Sequence, residues 1–508
     1  MLLIVPVAAL VVAYVMPTIR TLNMSLETGS PFGDGEFVGA ENFSNVLGDT
    51  RFAESLGLGL GLGFGAAVSG AVLAFLVAWC VHKAGRGMRT ATNVVAALAL
   101  VAFAPAAWVI ARQIAAFESY RDNGGELATA DWSTWGSLVG GVVFGAGLLV
   151  GLAAFRGGDD THRRSRTVLT AAGLTALALV AAGVQTFAFS SITGVQPFSP
   201  LLYLYQSGFV MMDFGRSSAI AVLLLAGLAV LGLGAAVLFA AARVRLDVAP
   251  GPGEPRPFKI GTGIASILLI GLFAAGTLIS LWPWLSRITE GASERFEGTT
   301  PTLDTWVPAL ITTVVAVACA AVGGYAIGAL RPAGEASRWL LLPFAPWLFV
   351  GTGPLGLAHY QALREAETLG TFAALAPRAW LAVPALFLFT ALFWGLEDRK
   401  RAMTAGGLAP GAARWTLTRA AWPIGALFFL AVLIANAQDV FWQALSAPSP
   451  DHATAWFVMV TSISDHFGNL GETGIGTAYP LALLVPFAAA AAAAAIWVLP
   501  KTGIRTGR

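Results

Sequence analysis

Charge is what this 508-residue chain has least of. Lys, Arg, Asp and Glu make up 11% of it, against 56% hydrophobic residues and a mean hydropathy of +0.73. A soluble chain carries about a quarter charged residues, so the deficit excludes a water-soluble globular protein. Cysteine is nearly missing: Cys80 and Cys319 lie far apart, each inside an apolar run, which makes packing their expected role and not a disulfide. The five histidines show no metal-ligand spacing, and only four of the thirty basic residues are lysine. No Gly-x-x-x-x-Gly-Lys-Ser/Thr sequence occurs, so the chain has no P-loop to cradle a nucleotide. A Ser-His-Asp set, a His-Glu-x-x-His and a paired-cysteine motif are missing as well. No catalytic residue, bound metal, cofactor or nucleic-acid partner is expected. Asp159-Asp160, beside Arg163, Arg164 and Arg166, reads as a solvated loop and not as a glycosyl-transfer pair.

What is present is a succession of apolar runs of eighteen residues or more, each long enough to cross roughly 30 Å of hydrocarbon. Strands of a membrane barrel would be about ten residues long and alternate in polarity; that pattern is not found. The expectation is an all-α polytopic membrane protein of about twelve spans: 2–18, 57–81, 93–112, 135–155, 168–186, 217–241, 264–286, 306–329, 339–358, 379–396, 423–442 and 476–499. The first run has no small-residue cleavage site and is taken as a span, not a removed signal peptide. Alternate loops and the C-terminal tail hold 21 basic and 7 acidic residues, and the opposite side holds 9 and 21. The positive-inside rule then places both termini in the cytoplasm.

A Pro/Gly-rich basic stretch, Arg243 to Gly263, reads as a cytoplasmic linker between a first half (1–242) and a second (264–508) of six spans each. The halves look like copies. Val184-Gln185-Thr186-Phe187 ends the fifth span and Asp213-Phe214-Gly215 precedes the sixth; Ala437-Gln438-Asp439-Val440 ends the eleventh and His466-Phe467-Gly468 precedes the twelfth. Gln185 to Gln438 and Phe214 to Phe467 are both separated by 253 residues. Two matches in register at half-length point to a parallel tandem duplication enclosing a central path.

Two other patterns imitate motifs. Gly57, Gly61, Gly65 and Ser69 recur every fourth residue within GLGLGLGFGAAVSG; inside a span this is a small-residue face for helix packing, not a dinucleotide loop. LPKTG, Leu499 to Gly503, resembles a sorting signal, but its apolar span comes before it and not after.

Three stretches, FVGAENFSNVLGDTRFAESL (Phe37 to Leu56), VQTFAFSSITGVQPFSPLLYLYQSGFVMMDFGRSSAIAVLL (Val184 to Leu224) and VGGYAIGALRPAGEASRWLLL (Val322 to Leu342), resemble the permease subunits of carbohydrate ABC importers of the maltose-transporter type. The resemblance covers most of the length and is strongest over Val184–Leu224. It implies two permease subunits fused in one chain of a bacterial cytoplasmic membrane. It also implies two separate cytoplasmic ATP-binding subunits, an extracytoplasmic solute-binding lipoprotein and a sugar substrate, with ATP bound only on the partners. Each such subunit carries a cytoplasmic coupling helix between its later spans. Here GGLAPGAARWTLTRAAWPIG, Gly406 to Gly425, occupies that place, opened by Pro410 and ended by Pro423. Gly411, Ala412, Arg414, Trp415, Arg419 and Trp422 are its candidate coupling residues, and Trp415, Arg419 and Trp422 form one stripe. The pattern departs from the family's: Thr404 falls near the expected glutamate, and Pro410 replaces the acidic residue before the glycine. RGGDDTHRRSRT, Arg156 to Thr167, has no such helix in the first half.

Gln185, Asn436, Gln438 and Asp439 are hydrogen-bonding groups in apolar spans, and such groups face a cavity or a partner helix. With Tyr205 and Trp442 they are the candidate substrate path; Phe187, Tyr203, Phe441 and Trp456 are further aromatic candidates. A non-transporting scaffold derived from such permeases and a secondary carrier coupled through Asp439 are the competing expectations.

Overall fold

The computed structural model describes residues 1–29, 35–123, 139–157, 161–188, 198–248, 260–446, 449, 451–465 and 472–507. Among them, eight helices are long and apolar enough to cross a bilayer, and a ninth forms if one bent pair counts as a single span. The chain is a multi-pass helical membrane protein. Its first long helices are α1 (Ile4–Ser25), α2 (Thr50–Ala84) and the bent pair α3 (Arg86–Val101) and α4 (Pro105–Asn123). Then come the short apolar α5 (Phe144–Arg156), α6 (Thr161–Val184), α7 (Pro200–Tyr205) and α8 (Phe214–Ala242). The second part runs α9 (Ile260–Leu285), α10 (Pro301–Leu330), α11 (Gly356–Glu365), α12 (Val383–Ala405) and α13 (Pro410–Ala437). It closes with α14 (Val440–Leu445), α15 (Ala455–Asp465) and α16 (Leu481–Trp497). On α9, Leu268, Leu272 and Ile279 remain exposed, an apolar face that suits lipid and not water.

Three expectations need correction. Residues 339–358 do not form one spanning helix. Gly334–Trp347 winds as a tight 3₁₀ helix containing Pro343 and Pro346, and α11 starts only after a break at Leu348–Leu355. Each proline removes a donor and clashes with the preceding turn, and Gly351 and Gly353 offer no compensating propensity. Span 93–112 is likewise interrupted, with α3 and α4 meeting at 78° at Ala102–Ala104, just before Pro105. Pro423, in contrast, does not end a helix: it lies inside the 28-residue α13, which continues through it to Ala437. The repeat mark at Phe467 and the pair Asp159-Asp160 lie outside the described residues.

The glycine stripe in α2 is also displaced. A side chain at Gly57 or Gly61 would meet open space, whereas one at Gly59 or Gly63 would run into Val184 or Val180 of α6, with Gly183 of α6 against Gly63. The packed face is therefore two residues out of phase with the Gly57–Gly61–Gly65 row, because a helix buries whichever small residues let the neighbouring backbone approach.

Packing is reciprocal between the two parts of the chain. Helix α2 lies along α5 and α6, and α10 lies along α12 and α13. The bent pair α3–α4 packs on α9 and α16, whereas the Gly334–Trp347 segment packs on α8 and α11 on α1. Trp108 Nε1 donates to Ser280 O at 2.9 Å, and Trp347 Nε1 to Thr18 Oγ1 at 3.1 Å.

One end of the bundle is closed by a two-stranded clasp, the only sheet among the described residues. Strand β1 (Arg245–Val248) follows α8, and β2 (Thr502–Arg505) follows α16; they pair antiparallel, Leu246 opposite Ile504. The LPKTG stretch thus becomes a turn and a strand. Gly395 of α12 lies against the Leu246 carbonyl and Gly157, after α5, against the Ile504 carbonyl, so each strand wedges onto a helix from the other part of the chain. Asp398 accepts from Arg331 at 2.6 Å and Arg245 at 3.0 Å, Arg399 donates to Val248 O, and Arg505 pairs with Asp247 at 3.2 Å. Arg331 and Arg338 both stack on Trp394, 4.0 and 3.9 Å from its ring centre. Burial pushes the Arg338 pKa down to about 10, which still leaves it charged at neutral pH.

Replacing Gly395 by Leu is expected to force β1 off α12 and to cost about 1–3 kcal/mol, the usual price of overpacking, seen as a lowered melting temperature in detergent. Gly411→Leu, at an open position, is the control and leaves the melting temperature unchanged.

Candidate functional site

A cavity of about 220 Å³ opens where four interruptions of regular helix meet. Pro105 brings the bend between α3 and α4. Gln185, Phe187 and Ala188 bring the end of α6, and Gly351, Thr352 and Gly353 the break before α11. Gln438, Asp439, Val440 and Phe441 bring the junction of α13 and α14, and Leu201 of α7 completes the wall. Helix α6 starts near the clasp and runs 24 residues, about 36 Å, so the cavity lies toward the opposite end of the bundle.

Each junction is held by its own side chains. Gln185 Nε2 donates to Ala181 O at 3.0 Å and Phe349 O at 2.7 Å, and its Oε1 accepts from Gly351 N at 2.8 Å. The side chain ties α6 to the break before α11 and has no group left over. Asp439 caps α14: Oδ1 accepts from Trp442 N at 3.1 Å, and Oδ2 from Thr352 Oγ1 at 2.6 Å. Such capping satisfies donors that a helix start leaves open. Gln438 Nε2 donates to Ala478 O at 3.1 Å, but its Oε1 has no partner, although the residue is only 7% exposed.

Aromatic rings close one wall. Phe187 and Phe441 lie 5.0 Å apart edge to face, and Tyr205 lies 5.4 Å from Phe187 and 6.1 Å from Phe441. Tyr205 therefore supports the wall from behind and is not among the residues that line it.

The other candidates lie elsewhere. Asn436 donates to Thr313 Oγ1 at 2.9 Å and bridges α13 to α10. Trp442 is buried, donates to Leu375 O at 3.1 Å and faces His359, whose pKa burial pushes down to about 3. Trp456 is buried, and its backbone N–H donates to Gln443. Tyr203 donates to Asp49 at 2.6 Å, and Arg216 contacts both.

Sequence reasoning missed Thr352, Gly353 and Pro105. A signal was there: Val101-Ala-Phe-Ala-Pro105 and Val350-Gly-Thr-Gly-Pro354 share a spacing, and their helix-breaking residues form the two matched bends.

The coupling candidates sit together on α13. Gly411, Ala412, Arg414, Trp415, Arg419 and Trp422 are all exposed, whereas Ala413, Leu417 and Ile424 face inward. Phe389 of α12 meets Phe428 of α13 at 5.2 Å, so α12 and α13 form a hairpin. Glu397 on that hairpin is engaged by Lys400 and Arg401, and Asp398 by the clasp. Past Asp398, α12 runs seven more residues to Ala405, about 10 Å. In the first part of the chain α5 ends at Arg156 and α6 begins at Thr161, which leaves four residues and no room for such an arm. Between Glu397 and Pro410 the hairpin borders an open, shallow cleft of about 380 Å³.

No protein-family model and no curated protein matches this chain.

Asp49 carries a pH prediction. The hydrogen bond from Tyr203, then the backbone N–H of Arg51 and the charge of Arg216, hold its carboxyl below the ordinary value against an opposing effect of burial. The stabilisation is complete above the ordinary aspartate pKa of about 3.9 and is lost as the pH falls through the depressed one. Asp49→Asn is expected to lower stability at neutral pH by about 1.5–3 kcal/mol, and the gap to wild type is expected to close in acid, measured by melting in detergent across pH.

Proposed function

We propose that the chain is the membrane-spanning component of a binding-protein-dependent ABC importer, with carbohydrate as cargo, and that ATP is hydrolysed on separate subunits. One observation carries the reading. The elements that match between the two parts of the chain, Gln185–Phe187 with Gln438–Phe441 and Pro105 with Gly351–Gly353, converge on a single cavity. Broken helices meeting between repeats are where transporters place their substrate sites. The reciprocal packing and the clasp, in which each strand is wedged by a helix of the other part, support a twofold relation between six-span halves 1–242 and 264–508. The basic excess on the clasp side supports a cytoplasmic location for the clasp and for both termini.

In this reading the α12–α13 hairpin is the arm worked by an ATP-binding subunit, with Trp415, Arg419 and Trp422 as its contact stripe. The first half leaves only four residues between α5 and α6 at the matching place, so coupling is one-armed. That short connection is also the observation that favours the second reading, a non-transporting scaffold descended from such permeases. A secondary carrier fits less well, because both carboxylate oxygens of Asp439 already accept hydrogen bonds, one from the α14 backbone and one from Thr352.

The test is co-expression with whatever ATP-binding subunit and binding lipoprotein genes lie beside this one, followed by copurification and ATPase assay. Trp415→Ala combined with Arg419→Ala is expected to lower transport-coupled hydrolysis at least about tenfold, equivalent to 1.4 kcal/mol, without changing the melting temperature. A fully folded chain that retains no ATP-binding subunit supports the scaffold instead.

A further inference from the structure

Among the residues that line the cavity, Gln185, Thr352 and Asp439 have their polar groups engaged. Gln438 does not: its Oε1 is buried without a partner. A buried amide oxygen with no donor is destabilising, and a bound hydroxyl would satisfy it. The same wall carries Phe187 and Phe441, whose ring surfaces suit C–H groups. No Lys, Arg or His lines the described part of the cavity, and its one ionisable side chain is the carboxylate of Asp439. An anion would meet no cationic group to balance its charge. At about 220 Å³ the space falls below the roughly 300–1,000 Å³ of sites for drug-sized ligands.

The geometry points to a binding site for a neutral polyhydroxylated solute of monosaccharide size, which donates one hydroxyl to Gln438 Oε1 and lays an apolar edge on Phe441. The site deepens the importer reading and rests on it for its role in transport. It sets two limits which that reading does not: one ring, and no negative charge. Gln438 is the specificity-determining residue, because its acceptor is satisfied only by a donor on the ligand.

The full chain in detergent is titrated with D-glucose, D-xylose and myo-inositol as neutral probes, with gluconate as the anionic probe and maltose as the two-ring probe. The readout is saturable thermal stabilisation, with the unsaturable osmolyte effect subtracted. At least one neutral probe is expected to saturate, and its affinity to fall at least tenfold in Gln438→Leu. Gluconate and maltose are expected to show no saturable component. Ala188→Phe, which adds a ring to the cavity wall and leaves Gln438 itself unchanged, is expected to abolish the effect and serves if Gln438→Leu does not fold. The proposal is overturned if no neutral probe saturates, if maltose or gluconate binds equally well, or if both variants bind like wild type. ATP-dependent uptake of a disaccharide would sink the size limit and leave the importer intact. Monosaccharide binding by a chain that recruits no ATP-binding subunit would keep the site and remove the importer.

Discussion

Inside a bilayer every backbone N–H and C=O must find its partner within the protein, because the hydrocarbon offers none. Much of this molecule follows from that demand. Its helices are interrupted at Ala102–Ala104, at Gln185–Phe187, at Leu348–Leu355 and at Gln438–Asp439. Such breaks are tolerable only where protein covers them. They cover one another: Gln185 satisfies the backbone at Phe349 and Gly351, and Asp439 caps α14 while accepting from Thr352. Convergence of the breaks is therefore the cheapest way to keep them, and a small polar cavity is its by-product.

The clasp solves a related problem at the other end. Two chain segments leaving α8 and α16 would expose strand edges and several arginines. They pair with each other, and Gly157 and Gly395 admit them against helix backbone where any side chain would stand in the way. Arg243 and Arg331 end their helices at positive φ, 54° and 48°, a conformation that costs a non-glycine residue about 1–2 kcal/mol. Arg331 is repaid by Asp398 and Trp394. Cavity and clasp are both shared between the two parts of the chain, so neither part closes its own site.

The α12–α13 hairpin stands apart from both shared features. Its exposed face carries Trp415, Arg419 and Trp422, and its inward face is anchored through Ala413, Leu417 and Ile424. Continuity of α13 through Pro423 matters mechanically: a rigid helix joins the exposed arm to Gln438 at the cavity. In the proposed importer, a displacement of the arm would reach the site without passing through a flexible joint.

What the sequence by itself determined is the class of the molecule and the position of most of its long helices, because hydrophobic length is a local quantity that lipid reads directly. The polar residues worth watching were legible for the same reason: Gln185, Gln438 and Asp439 stand out in apolar runs. The contributions of Thr352, Gly353 and Pro105 were not, since a threonine or proline in an apolar segment has no meaning until its break is seen to face another. Periodicity likewise placed small residues every fourth position in α2 but did not say which row packs; contact with Val180 and Gly183 decided for Gly59 and Gly63. Tertiary structure alone chose between cavity and packing for each polar group, because whether a hydrogen bond is already spent depends on a partner far along the chain: Thr313 for Asn436, Leu375 for Trp442, and none for the oxygen of Gln438.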